Sequence, residues 1–236
     1  LHKAIRRQRQ MCIRDRGEIM HRYILGVYHL YEKLTTEFPH ILFESCSSGG
    51  ARFDPGMLYY APQTWTSDDT DAYERLKIQY STSYVYPLSS MGAHISEIPN
   101  QQTLRSVPLE TRANVAYFGA FGYELDLNLL SEQEKELVKK QIEFVKKHRE
   151  LIHKGRFYRL ESPYNSKAGA WMVVSENRDE ALVGYYKGLN EPNAGYIRLR
   201  LKGLEEDASY YIDQKFNNFY GDELMYAVSY THLRAH

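Results

Sequence analysis

The chain has 236 residues with 30 basic and 30 acidic side chains, so its formal net charge is zero. That balance excludes the basic excess on which nucleic-acid and membrane-surface binding depend, and neither partner is expected. A hydrophobic share of 43% supplies a sizeable core, yet no run approaches the roughly 18 apolar residues of a membrane span.

Cys12 and Cys46 give no disulfide framework and no metal spacing, which fits a reducing, cytoplasmic compartment. Tyr is abundant, with 21 copies against 9 Phe and 2 Trp. Its polar-tipped rings suit a sugar-binding surface and a β-sandwich core alike.

In chain order, Arg6–Arg16 (RRQRQMCIRDR) is basic, apolar-poor and aperiodic, and Val228–His236 (VSYTHLRAH) breaks abruptly from a strand-like pattern. Both strings resemble translated sequencing-adaptor read-through. Residues 1–16 are therefore expected to be a foreign, unstructured leader and 228–236 a foreign tail. From Glu18 to Phe38 apolar residues recur at three- and four-residue spacing (Ile24, Tyr28, Tyr31, Leu34, Phe38), which predicts an amphipathic helix stopped by Pro39.

His40–Cys46 reads as a buried strand that opens onto Ser47–Ala51, where Gly49 and Gly50 permit positive φ and close approach to backbone. A short helical turn before Pro62, a strand at Thr64–Ser67 and a helix from Ala72 to Tyr84 follow. Asp71 with Glu74 has the form of a capping box for that helix. Ser89–Ser96 is a third strand, Glu97–Ser106 a polar loop, Pro108–Tyr117 a helix and Phe118–Leu125 a glycine-containing strand. Ser131 and Glu134 cap the longest helix, Glu132 to about Ile152.

After Gly155 the rhythm changes to strands alone: Phe157–Leu160, Ala170–Val174, Ala181–Tyr186 and Tyr196–Leu201. An alternating α/β half, 17–154, is thus followed by an all-β half, 155–227. The first supplies about four βα units, half of an eight-fold (β/α)8 TIM barrel. The second reads as a partial antiparallel β-sandwich.

The chemistry concentrates between Cys46 and Asp71, where small residues and four aspartates follow two predicted strand ends. In a parallel α/β barrel, strand C-termini build the active site. Asp71 is best explained as a cap, and Asp54, just before Pro55, as a turn or cap residue. Asp68 and Asp69 rank level as candidate acids. Cys46 has no His nearby in sequence to activate it. Ser47 and Ser48 lack the Gly-x-Ser-x-Gly elbow, no P-loop Lys follows Gly49–Gly50, and His94 has no metal-ligand spacing. No cofactor is indicated.

The runs LFESCSSGGARFDPGMLYYAPQTWTSDDTDAYERLKIQYSTS, MGAHIS and PLETRANVAYFGAFGYELDLN resemble the α-galactosidases of glycoside hydrolase family 36. The resemblance implies a retaining two-aspartate enzyme with a central barrel and a C-terminal β-sandwich. Its substrates would be α-galactoside oligosaccharides of the raffinose type, and its assembly a homo-oligomer, often a tetramer. It implies Asp68 as the acid/base, with Cys46, Ser47, Ser48 and Gly49 contacting galactose. Arg52, Trp65 and Asp69 would stand just behind them.

The nucleophile of the family lies in a Lys-Trp-Asp motif that this chain lacks, Trp65 being followed by Thr66 and Trp171 by Met172. Retention needs two carboxyls about 5–5.5 Å apart on opposite faces of the anomeric carbon. The chain by itself is therefore expected to be inactive. Other functions on the table are glycosyl transfer, an α-N-acetylgalactosaminidase specificity, or a galactose-binding lectin.

Overall fold

The computed structural model describes residues 2–165, 168–188, 192, 199–213 and 218–227, the first fourteen of these (2–15) by backbone alone. The chain divides into two compact units, Leu1–Thr64 and Trp65–His236.

In the first unit, α1 runs from His2 to Glu37. The expected unstructured leader is therefore helical from His2 onward. Its Ala4, Arg6, Arg7, Gln8, Arg9, Gln10 and Met11 are good helix formers, and no Pro or Gly precedes Gly17 to stop propagation. Tyr28 and Tyr31 pack against Tyr60, with ring centroids 6.0 and 6.4 Å apart, and Tyr31 meets Phe43 edge-on.

The predicted buried strand His40–Cys46 shrinks to β1, Glu44–Ser45, paired in parallel with β2, Gln63–Thr64. Leu42 is 89% exposed. Only a two-residue partner is available within the unit, because Pro62 has no N–H to extend the ladder upstream of Gln63. Between the two strands lies α2, Pro55–Tyr60, with Asp54 as N-cap and Pro55 in its first turn.

In the second unit, α3 (Ala72–Thr82), β3 (Gly92–Ser96), α4 (Leu109–Ala116), β4 (Ala120–Glu124) and α5 (Glu132–Lys154) follow the expected order. β3 and β4 pair in parallel across α4, with His94 opposite Gly122. Alternation along β3 sends Ala93 and Ile95 into a core with Leu109, Ala113, Ala116 and Val138. Ser131 and Glu134 form the full capping box of α5.

β5 (Arg156–Glu161), β6 (Ala168–Val174) and β7 (Ala181–Lys187) make an antiparallel sheet in that order. β6 is covered on both faces. Trp171 and Val173 join a core with Leu76, Tyr80, Leu151 and Ile152 from the helices. Met172 and Val174 face Leu204, Leu224 and Met225. β8 (Ser209–Tyr211) pairs with β9 (Asn218–Tyr220), and a π-helical turn covers Glu223–Ala227. Of the expected strand Tyr196–Leu201, residues 196–198 lie outside the described residues, and Leu199–Leu201 are not in a strand. The expected tail 228–236 is outside them as well. Mixed helix and strand with parallel pairing makes this an α/β chain.

Candidate active site

The first unit carries the small-residue turn. β1 ends at the buried Ser45, whose carbonyl accepts the Thr64 hydroxyl at 2.9 Å. The chain then reverses within Cys46–Gly50: Ser47 N–H donates to the Gly49 carbonyl at 3.0 Å, and Ser48 and Gly49 both adopt left-handed backbone, φ 47° and 71°. Glycine does this freely, but serine at such a φ costs roughly 1 kcal/mol. A strained residue at a strand end is the kind of outlier that functional loops retain. Arg52 braces the turn, donating to the Cys46 carbonyl at 2.7 Å and to the Tyr23 hydroxyl at 3.0 Å. Cys46 is an exposed free thiol. Asp54 serves the structure, its Oδ1 accepting from Met57 N–H at 3.0 Å and from the Tyr28 hydroxyl at 2.7 Å.

The second unit carries the aspartates, and their surroundings separate them. Asp71 is 2% exposed and caps α3, accepting from the N–H groups of Tyr73 and Glu74 at 2.9 and 3.1 Å. It also accepts the Thr103 hydroxyl at 3.0 Å and pairs with Arg105. Asp69 accepts the N–H of Asp71 at 3.0 Å, while its own N–H donates to Ser67 Oγ at 3.1 Å. Asp68 is exposed, and among the described residues no hydrogen bond or ion pair to its carboxylate is present. Of the three, Asp68 alone keeps its oxygens for something outside the fold.

Behind this turn, Trp65 is buried and its ring lies 4.6 Å from that of His94. His94 sits opposite Gly122, where a Cβ would come within 2.7 Å of the imidazole. Arg75 is also buried. It donates to the Thr66 hydroxyl at 2.9 Å and to the Gly92 carbonyl, tying the approach to Asp68 onto the start of β3. Burial lowers its pKa to about 10, partly offset by the negative charges of Asp69 and Glu124.

Sequence reasoning missed Arg75 and Asn100. Arg75 stands on the face of α3 that also carries Ala72, Leu76, Gln79 and Tyr80, all buried. A guanidinium within such a stripe is the signal that could have found it. Asn100 sits in a stretch that reads only as polar loop. Among the described residues no cluster of His, Cys, Asp and Glu could hold a metal ion, and no helix is long and apolar enough to cross a membrane.

Comparison with known proteins adds to this geometry. Residues 3–155 match the melibiase family, and residues 168–227 match the glycosyl hydrolase family 36 C-terminal domain. The chain belongs to the melibiase family, within glycoside hydrolase family 36. The melibiase match starts inside the segment expected to be foreign.

This melibiase-family chain is 57% identical over 210 residues to α-galactosidase AgaA of Geobacillus stearothermophilus, covering 89% of the chain and 29% of that relative. It is 50% identical over 209 residues to α-galactosidase 1 of Pediococcus pentosaceus, covering 89% of the chain and 28% of that relative. Among solved structures, a variant of the Geobacillus enzyme in complex with raffinose superposes with a TM-score of 0.85 at 56% identity, covering 88% of this chain and 29% of that one. The Lactobacillus brevis α-galactosidase gives a TM-score of 0.86 at 53% identity, covering 88% and 28%. The chain thus spans less than a third of the length of these relatives.

Proposed function

We propose that this chain is the part of a retaining α-galactosidase that carries the proton donor, acting on terminal α-linked galactose of raffinose-type oligosaccharides. Asp68 is the acid/base. The turn Cys46, Ser47, Ser48 and Gly49 contacts the sugar, and Arg52, Trp65 and Asp69 support these groups from behind. Residues 17–154 correspond to the C-terminal half of a (β/α)8 barrel and 155–227 to part of a C-terminal β-sandwich. The whole enzyme works in the cytoplasm as a homo-oligomer, a tetramer in this reading.

One observation supports this most directly. In a chain that belongs to this family, Asp68 is the aspartate of its turn whose carboxylate the fold leaves unengaged. A general acid must be free to reach the leaving oxygen and must be protonated before attack. Two-carboxylate retention then needs a partner nucleophile on the other face of the sugar. No Lys-Trp-Asp motif is present here to supply it, so the chain alone turns nothing over.

The test joins the chain to the upstream part of the Geobacillus enzyme. The chain alone should leave an aryl α-galactoside intact and the joined protein should hydrolyse it. Asp68→Asn in the joined protein should lower kcat/KM for an alkyl α-galactoside by at least about 100-fold, the lower range for general acid catalysis. Undiminished hydrolysis by that variant would remove Asp68 from the reaction.

A further inference from the structure

We propose that the segment Ser96–Arg105 is a clamp that positions Asp68 for proton transfer, with Asn100 as its organising residue and Gln102 as its direct link. The proposal rests on the reading of Asp68 as the acid/base. A carboxyl with no bonds of its own is aimed only by the backbone that carries it. Three of the four residues from Asp68 to Asp71 are fastened, through backbone or side chain, to the end of β3 and the loop that follows it. Gln102 Nε2 donates to the Asp68 carbonyl at 2.9 Å. Ser96 Oγ donates to the Thr70 carbonyl at 3.3 Å, and Asn100 Nδ2 to Thr70 Oγ1 at 3.1 Å. Thr103 and Arg105 both hold the Asp71 carboxylate. Asp69 is the exception, held from within the turn by Ser67.

Asn100 makes the clamp rigid. It is 2% exposed, and its Oδ1 accepts the N–H groups of Gln102 and Thr103 at 2.9 and 3.0 Å. Its other end reaches Thr70. One carboxamide therefore fixes the loop to itself and to the turn that bears the acid, and all its polar atoms are used. Arg105 adds a second anchor by stacking 4.9 Å over the Tyr73 ring of α3. Nothing in the core requires a surface glutamine to hold the Asp68 carbonyl. The bond makes sense as aim, since a misplacement of about 1 Å can cost on the order of 100-fold in rate.

Positioning of an acid has a signature that a general structural defect lacks. A dinitrophenyl leaving group departs without protonation, whereas an alkyl alcohol needs the proton. In the joined protein, Gln102→Ala should lower kcat/KM for an alkyl α-galactoside by about tenfold or more while changing that for a dinitrophenyl α-galactoside by less than about threefold. Equal losses on both substrates, or no loss on either, would overturn the clamp. If Asp68→Asn itself spares the alkyl substrate, the catalytic reading fails first, and the two failures are distinguishable.

The chain as it stands offers a second readout. Gln102→Ala and Asn100→Ala should each speed amide hydrogen exchange across residues 68–71 by about tenfold, with α5 unchanged. Unchanged exchange at 68–71 overturns the proposal, and this result decides even if the joined protein is inactive before any substitution.

Discussion

Asp68 and Asp71 stand three residues apart and should respond to substitution in opposite ways. The Asp71 carboxylate is buried, caps α3 through two N–H groups, accepts the Thr103 hydroxyl and pairs with Arg105. Removing a cap costs about 1 kcal/mol. Losing a hydroxyl bond to a charged group costs about 1.5 kcal/mol. The Arg105 side chain is 40% exposed, so that pair adds no more than about 1 kcal/mol. Asp71→Ala should therefore destabilise the second unit by about 3 kcal/mol. Trp65 and Trp171 both lie in this unit, and their fluorescence reports its unfolding in urea. With a slope of about 2 kcal/mol per M, the midpoint should fall by about 1.5 M. Asp68→Asn removes no bond made within the fold and should move the midpoint by less than about 0.25 M. If Asp68→Asn shifted the midpoint as far as Asp71→Ala, or Asp71→Ala left it in place, the division between a structural and a free aspartate would be wrong.

Two further tests probe packing and titration. A Cβ on Gly119 would lie 2.7 Å from Ala93 Cβ and 2.9 Å from the Met91 carbonyl oxygen, so Gly119→Ala should cost about 2 kcal/mol in the same urea assay. Tyr28 donates to Asp54, and that hydrogen bond, with burial and the aspartate's charge, raises its pKa to about 12 from 10.0. The folded value lies above the unfolded one, so this contribution to stability is complete below pH 10 and is lost as pH rises toward 12. Ultraviolet difference titration against Tyr28→Phe should find this phenol near 12 and, in Asp54→Asn, closer to 10; equal midpoints would refute the coupling.

What could be read from the sequence was whatever depends on near neighbours. The Ser131–Glu134 box and the Asp54 and Asp71 caps are three-residue relations, and all three are present. The helix before Pro39 and the first three strands after Gly155 follow from periodicity, whereas Leu199–Leu201 of the fourth expected strand are not in a strand. What failed depends on distant partners or on their absence. His40–Phe43 are apolar enough for a strand, but strand length is set by the partner, and β2 offers two residues. The leader carries no apolar period, so the pattern rule missed a helix that its good helix-forming residues favour. Asp68 and Asp69 could not be ranked by residue type. Their difference lies in whether an acceptor is already occupied, as Asp69 is by the N–H of Asp71. The turn that Asn100 makes with the N–H groups of Gln102 and Thr103 is local, but its link to Thr70 spans thirty residues and no local pattern encodes it.

The double cover of β6 has a consequence for how the chain is made. Trp171 and Val173 find their partners among residues already synthesised when β6 emerges, such as Leu76 and Ile152. Met172 and Val174 have Tyr158 and Leu160 beside their cluster from the start, but must wait for the buried Leu204, Leu224 and Met225 to complete their cover. Translation proceeds at roughly 5–20 residues per second, so one face of the central strand stays partly open to water for seconds on every nascent chain. During that interval the strand is a natural client for a chaperone. Truncations that end before Leu204 would leave that interval without end, turning a passing exposure into a permanent signal for degradation.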